Sequence, residues 1–163
     1  MNTAFNEQEA LGLMLAGSIV TLTLVIVALI AYIISAIGYW RMFKKAGSAG
    51  WKAFVPFVNT YEMYRLSWDA KYFWPWFFFS VVSAALFYCA EMIAGGTALA
   101  FLPDALAYAA SAAALYYVLK MNNLLARSFG KGNICGVCLW VFPFITSLVL
   151  GFGSARYIGN QSK

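Results

Sequence analysis

No charged residue occurs between Leu11 and Trp40. A helix needs about 20 apolar residues to cross a hydrocarbon core of about 30 Å, so this stretch crosses with tilt or runs past one interface. It ends in Tyr39-Trp40, an aromatic pair suited to the headgroup level, and Arg41, Lys44, Lys45 and Lys52 follow. The rest of the chain repeats this arrangement. A second run, 72–94, is entered through Trp68, Tyr72, Phe73, Trp74 and Trp76 and left at Gly95-Gly96. A third, 104–125, opens on Pro103-Asp104, a helix-start signal, and its body is mostly alanine. The fourth, 134–152, follows the polar turn Ser128 to Asn133 and carries Pro143 in its middle. That proline predicts a kink in a fourth full span or, alternatively, a break into a re-entrant pair.

Composition agrees with lipid as the solvent. Hydrophobic residues make up 63% of the 163 and charged residues 10%, against about 45–50% and about 25% in soluble domains. In such a chain the net charge of +5 does not imply nucleic acid; its distribution is read as topology. Six basic residues (Arg41, Lys44, Lys45, Lys52, Arg65, Lys71) separate the first two runs, and none separates the second from the third. Lys120, Arg127 and Lys131 surround the third connection, and the N-terminal tail carries only Glu7 and Glu9. Both basic connections, 41–71 and 126–133, are therefore expected to be cytoplasmic, with the N-terminus outside. Four full spans put the C-terminus outside as well; Arg156 and Lys163 mildly oppose this. The first run is too long for a signal-peptide core and lacks a basic leader, so it is expected to be retained.

These readings predict an all-α polytopic membrane protein. It is one domain over 1–163, a bundle of four transmembrane helices (11–40, 72–94, 104–125, 134–152). An amphipathic interfacial helix over 51–67 joins the first two. Within that connection Gly47 and Gly50 bracket a turn. Trp51, Phe54, Val55, Val58 and Tyr61 then form an apolar stripe at helical spacing, with Asn59, Glu62 and Arg65 on another face. Pro56 marks where the regular helix begins. A stripe with basic flanks suits a helix lying in the interface plane. It would serve as a surface elbow or as a docking site or gate under the bundle.

The same segment carries a pattern: Lys45-Ala46-Gly47, Gly50-Trp51, Pro56-Phe57 and Asn59. Later come Phe129-Gly130-Lys131-Gly132, Pro143-Phe144, Gly151-Phe152-Gly153 and Tyr157. In these motifs the chain resembles a family of small bacterial membrane proteins catalogued as domain of unknown function 5684. Similar segments form the membrane part of some type I signal peptidases. Their catalytic region is not among these residues, so no protease activity is implied. The resemblance implies a bacterial inner-membrane protein and no chemistry.

Three further groups of residues bear on function. Cys135 and Cys138 form a CxxC, a spacing that suits thiol exchange. The expected topology places the pair on the reducing side, and the third cysteine, Cys89, is far along the chain. Glu91 and Asp104 sit at the outer ends of runs two and three. They read as helix-end carboxylates or as the mouth of a cation vestibule. Ala109/Ala113 and Ala110/Ala114 have small-xxx-small spacing, which suits close packing within one protomer or between protomers. Histidine is absent, which removes the commonest general base and metal ligand. No cofactor or metal site is predicted. The leading expectation is a non-catalytic partner or scaffold module of a membrane assembly. It would associate with the bilayer and with a second copy or another membrane protein, through Gly47, Gly50, Trp51, Pro56, Asn59, Glu62 and Arg65. A small homo-oligomeric channel or transporter and a membrane thiol redox protein are the alternatives.

Overall fold

A computed structural model describes residues 2–94 and 101–161, with side chains from residue 9 to 92 and from 101. The Gly95-Gly96 turn, the Glu7 side chain and Lys163 lie outside the described residues. Every regular element among the described residues is helical: α1 (Asn2–Lys45), α2 (Pro56–Ser67), α3 (Phe73–Ala94), α4 (Phe101–Ser128), α5 (Asn133–Val141) and α6 (Pro143–Phe152). Short 3-10 turns at Gly50–Phe54 and Ala70–Tyr72 lead into α2 and α3.

Among the described residues three helices, not four, are long and apolar enough to cross a membrane: Glu9–Lys45, Ala70–Met92 and Phe101–Ser128. The fourth expected span divides at Phe142, whose φ of −127° and ψ of 63° leave the helical region. The cause is Pro143. Its ring excludes the preceding residue from the α conformation, and it supplies no N–H to α5. It then sits comfortably in the first turn of α6. The two pieces have 9 and 10 residues, about 14 Å each at 1.5 Å per residue, half of what a crossing needs.

Their contacts show how the pieces run. α5 starts beside the end of α4, where Arg127 Nε donates to Asn133 Oδ1 at 2.9 Å, and Gly136 lies against Asn123. α6 then descends along α1, from Gly38 beside Ser147 to Gly151 beside Arg41. It finishes at Lys45, whose Nζ donates to the carbonyls of Leu150, Gly153 and Ala155 at 2.8, 2.7 and 3.0 Å. So α5 leaves one end of the molecule and α6 returns to it. The tail stays there: Ile158 N–H donates to the Ser128 carbonyl and Tyr157 OH to the Leu66 carbonyl, both at 2.8 Å. The expected separation of the tail from the 41–71 connection is thereby corrected.

The core occupies this same end. Tyr39, Met42 and Phe43 of α1 meet Met63, Tyr64 and Leu66 of α2, Phe73 of α3, Met121, Leu125 and Phe129, Leu139 of α5 and Leu150 of α6. Beyond it the molecule opens. α3 and α4 continue as an antiparallel hairpin, joined by Ser83 and Ser111 hydroxyls 2.6 Å apart. Ala107 and Ala110 are buried within the protomer, Ala113 and Ala114 are half-buried, and Ala109 is exposed. α1 continues alone, every residue from Glu9 to Ile30 exposed.

The α1–α6 contact depends on missing side chains. A Cβ at Gly151 would lie 2.6 Å from the Gly38 carbonyl oxygen, and one at Gly38 would lie 2.6 Å from the Ser147 carbonyl carbon. Both obstacles are backbone, so the helices must separate to accept a larger residue. Gly38→Val is expected to cost about 1–3 kcal/mol. The check is a lower melting temperature in detergent, with Gly17→Val on the open part of α1 unchanged.

Candidate functional site

The residues between α1 and α3 build one polar cluster around a carboxylate. α1 ends in a turn at Gly47, whose φ of +73° is the left-handed region that glycine adopts without strain. The chain then passes so close to Trp40 that only glycine fits at Gly50, where a Cβ would overlap the indole. This tight return brings Ser48 and Lys52 back over α2. Pro56 occupies the first turn of α2, its missing N–H costing nothing there.

α2 turns a mixed polar and apolar face inward. Asn59 and Glu62 are buried, together with Met63, Tyr64, Leu66 and Ser67. Trp51, Phe54, Val55 and Tyr61 are exposed and Val58 is half-buried. Trp51 and Phe54 stand on the 3-10 turn, so the apolar stripe is shared between two elements. An apolar side turned outward and a carboxylate turned inward is the reverse of what water selects.

Glu62 is 1% exposed and fully engaged. Ser48 Oγ donates to its Oε1 at 2.5 Å, Lys52 Nζ to its Oε2 at 3.0 Å, and Arg65, one turn along α2, also bonds Oε1. Burial alone would raise the carboxyl pKa. The bonds from Ser48 and Lys52 and the charges of Arg65 and Lys52 outweigh it and hold the pKa below the ordinary value. Two cations on one carboxylate leave the cluster net positive. Lys52 and Arg65 remain 23% and 49% exposed, so the positive charge lies at the surface while the negative charge lies beneath. The carbonyl oxygen of the buried Asn59 side chain has no hydrogen-bond partner in the structure. Tyr157 and the aromatic contacts Tyr61–Phe73 and Tyr64–Phe73 hold α2 against the tail and α3.

The structure pairs Glu62 with Arg65 and buries Asn59 one turn before Glu62, while Gly47 and Gly50 turn the loop, Pro56 opens the helix and Trp51 is exposed. Ser48 and Lys52 were not singled out by the sequence reading. They lie 14 and 10 residues from Glu62, ahead of the helix start at Pro56, so no single helix connects them, and only the glycines around Ser48 hinted at the return. The other candidates stand apart. Cys135 and Cys138 are free thiols on α5, half-buried and exposed, lining a shallow apolar hollow of about 560 Å³ with Ile145 and Val149. Glu91 is exposed, and Asp104 is half-buried in the first turn of α4, where an acid complements the helix dipole.

This arrangement holds an elbow in place and leaves the Glu62 oxygens no room to act as a base. Glu62→Ala is expected to cost about 1–3 kcal/mol, because Ser48 and two cations lose their acceptor. Arg65→Gln, at a half-exposed partner, is expected to cost less than about 1 kcal/mol. The lowered pKa also sets a pH dependence. The pairing stabilises the fold above the ordinary carboxylate range and is lost as pH falls through the folded-state value. Melting temperature should therefore drop more between neutral and acidic pH for the unaltered protein than for Glu62→Gln.

No curated protein matches the chain, so the likeness to signal peptidases has no support there, and no solved structure matches it either. A family model does match, over residues 51–160, from the exposed Trp51 through α6 to the tail that packs on α2. The chain therefore belongs to the Family of unknown function (DUF5684).

Proposed function

We propose that this chain is a non-catalytic assembly module of a bacterial inner membrane. It holds α1 out from a closed base for a transmembrane helix of another chain. In this reading three helices cross the bilayer, with the N-terminus outside. α5 and α6 enter from the cytoplasmic face and return to it. The core, the Glu62 cluster and the tail lie at the cytoplasmic interface.

The observation that carries the reading is the contrast along α1. From Ser35 to Phe43 most residues are buried against α6 and the core; from Glu9 to Ile30 none is. Lipid covers an apolar helix only over the thickness of the bilayer. From Ser35 on, α1 already has α6 and the core as cover. The exposed apolar stretch above, Leu11–Ile30, is about 30 Å long, the depth of one hydrocarbon core, and is open along its whole length to a second helix. The open part has the surface for it: Gly17 and Thr21, one turn apart, line a shallow hollow with Met14, Ser18, Leu22 and Val25. Small residues at that spacing let a second backbone approach closely.

Two measurements test the proposal. A photo-reactive residue at Leu22 should cross-link to another polypeptide in native membranes. Gly17→Ile with Thr21→Ile should reduce recovery of that companion at least tenfold while membrane insertion is unchanged. A particle containing one protomer and lipid alone would overturn the assembly role. For topology, a cysteine at Ser154 should resist a maleimide confined to the exterior, as should one at Ala49. Labelling at Ser154 alone would restore four full spans.

A further inference from the structure

We infer that the junction of α4 and α5 binds the phosphodiester headgroup of an anionic phospholipid. The inference rests on the bilayer placement proposed above. Most of the chain's cations are already committed. Lys45 spends its donors on three carbonyls, Lys52 and Arg65 serve Glu62, and Lys71 pairs with Asp69. Arg41 and Lys44 stand over Trp40. Lys120, Arg127, Lys131 and Arg156 form no ion pair among the described residues, and of these Lys120 and Arg127 line one hollow together, of about 330 Å³.

The hollow's groups fit a phosphodiester. Lys120 and Arg127 are seven residues apart on one face of α4, about 10 Å along its axis, which two long side chains can close onto one anion. Lys120 Nζ is fixed at that height by Tyr116 OH, 3.2 Å away, and by the Trp68 ring, 4.3 Å below it. Arg127 gives only Nε to Asn133, so its two terminal nitrogens remain for a fork onto phosphate oxygens. Asn123 lies between the two cations. Its Oδ1 is buried against Gly136, which leaves the amide nitrogen as the group for the hollow. Leu119, Leu124 and the exposed Tyr116 make the remainder apolar. On the same face of α4 the exposed Ala112, Ala109, Ala105 and Leu102 continue the apolar surface away from the basic end. A free anion would use only the polar part; a lipid uses both. Asp69, the acid next to Trp68, is held by Lys71 and does not offset the two cations. Basic pockets between helices on the cytoplasmic side are where anionic headgroups collect.

The test uses the full chain, purified and delipidated in a neutral detergent, with melting temperature and native mass spectrometry as readouts. Phosphatidylglycerol should bind and raise the melting temperature, and phosphatidylcholine should not. Lys120→Gln with Arg127→Gln should weaken phosphatidylglycerol binding by roughly fivefold for each cation removed. Lys120→Arg should retain it, and so should Arg156→Gln, which lowers net charge elsewhere. Equal binding of both lipids, or an equal loss with Arg156→Gln, would overturn the site. Full competition by inorganic phosphate would assign the hollow to a free anion and overturn the lipid. If the double variant does not fold, surface-placed Lys120→Gln alone carries the comparison. Sedimentation with membranes is scored separately: a chain soluble without detergent sinks the bilayer placement, whereas a membrane-bound chain with no headgroup preference sinks only this site.

Discussion

The architecture depends on one ammonium group. An α-helix ends with carbonyls that lack an intrahelical partner, and inside a protein or a bilayer they cannot be left to water. α6 ends in that situation, and Lys45 donates to the Leu150 carbonyl in its last turn and to those of Gly153 and Ala155 just beyond it. A cation at the C-terminus also opposes the negative end of the helix dipole. The interaction joins residues more than a hundred positions apart. It ties the end of α1 to the end of α6 and thereby fixes the direction in which α6 runs. Arg127 makes the matching connection at the start of α5 through Asn133. With both outer ends of the pair held at the basic end of the molecule, the pair has no alternative but to turn back at Phe142.

The sequence carried more of the helices than of their arrangement. The three long spans were legible because charge-free length is a direct physical requirement, and their aromatic entries and basic exits marked the ends. Pro143 made a break or a kink legible, but not which. The deciding facts are a lysine bonded to distant carbonyls and a tail that folds onto α2, and neither has a local signature. Lys45 itself illustrates the limit. It counted as one of several positive charges on a connector, whereas its position in the structure makes it a cap.

The site was half legible for a similar reason. Asn59, Glu62 and Arg65 share a face of α2, and helical spacing alone shows that. The burial of Asn59 and Glu62 reverses the usual assignment of polar residues to the outside, because α2 presents exposed apolar side chains where lipid, not water, is expected. Ser48 and Lys52 reach Glu62 only because the chain doubles back at Gly47 and passes beneath Trp40 at Gly50. A periodicity argument follows one element at a time, so a carboxylate held jointly by a loop and a helix lies outside its reach. The glycines record the return without naming the partners it delivers.

The break at Phe142 has a structural consequence for the remainder of the molecule. The break itself costs little. Phe142 still donates to the Cys138 carbonyl, and its own carbonyl still accepts from Thr146, so the irregular residue is bonded on both sides. Pro143 had no donor to lose. But a pair of half-length helices can fill only half the depth between α1 and the α3–α4 hairpin. Below the tip, α6 packs on α1, α5 packs on α4, and a common core results. Above it no described residue bridges the two arms: α3 and α4 support each other through Ser83 and Ser111, and α1 has no neighbour among the described residues. A closed base and an open upper half thus follow from one proline and one lysine. A full fourth span would have supplied the missing neighbour from within the chain. Because it stops short, the exposed stretch of α1 is left to whatever surrounds the molecule, lipid or another polypeptide.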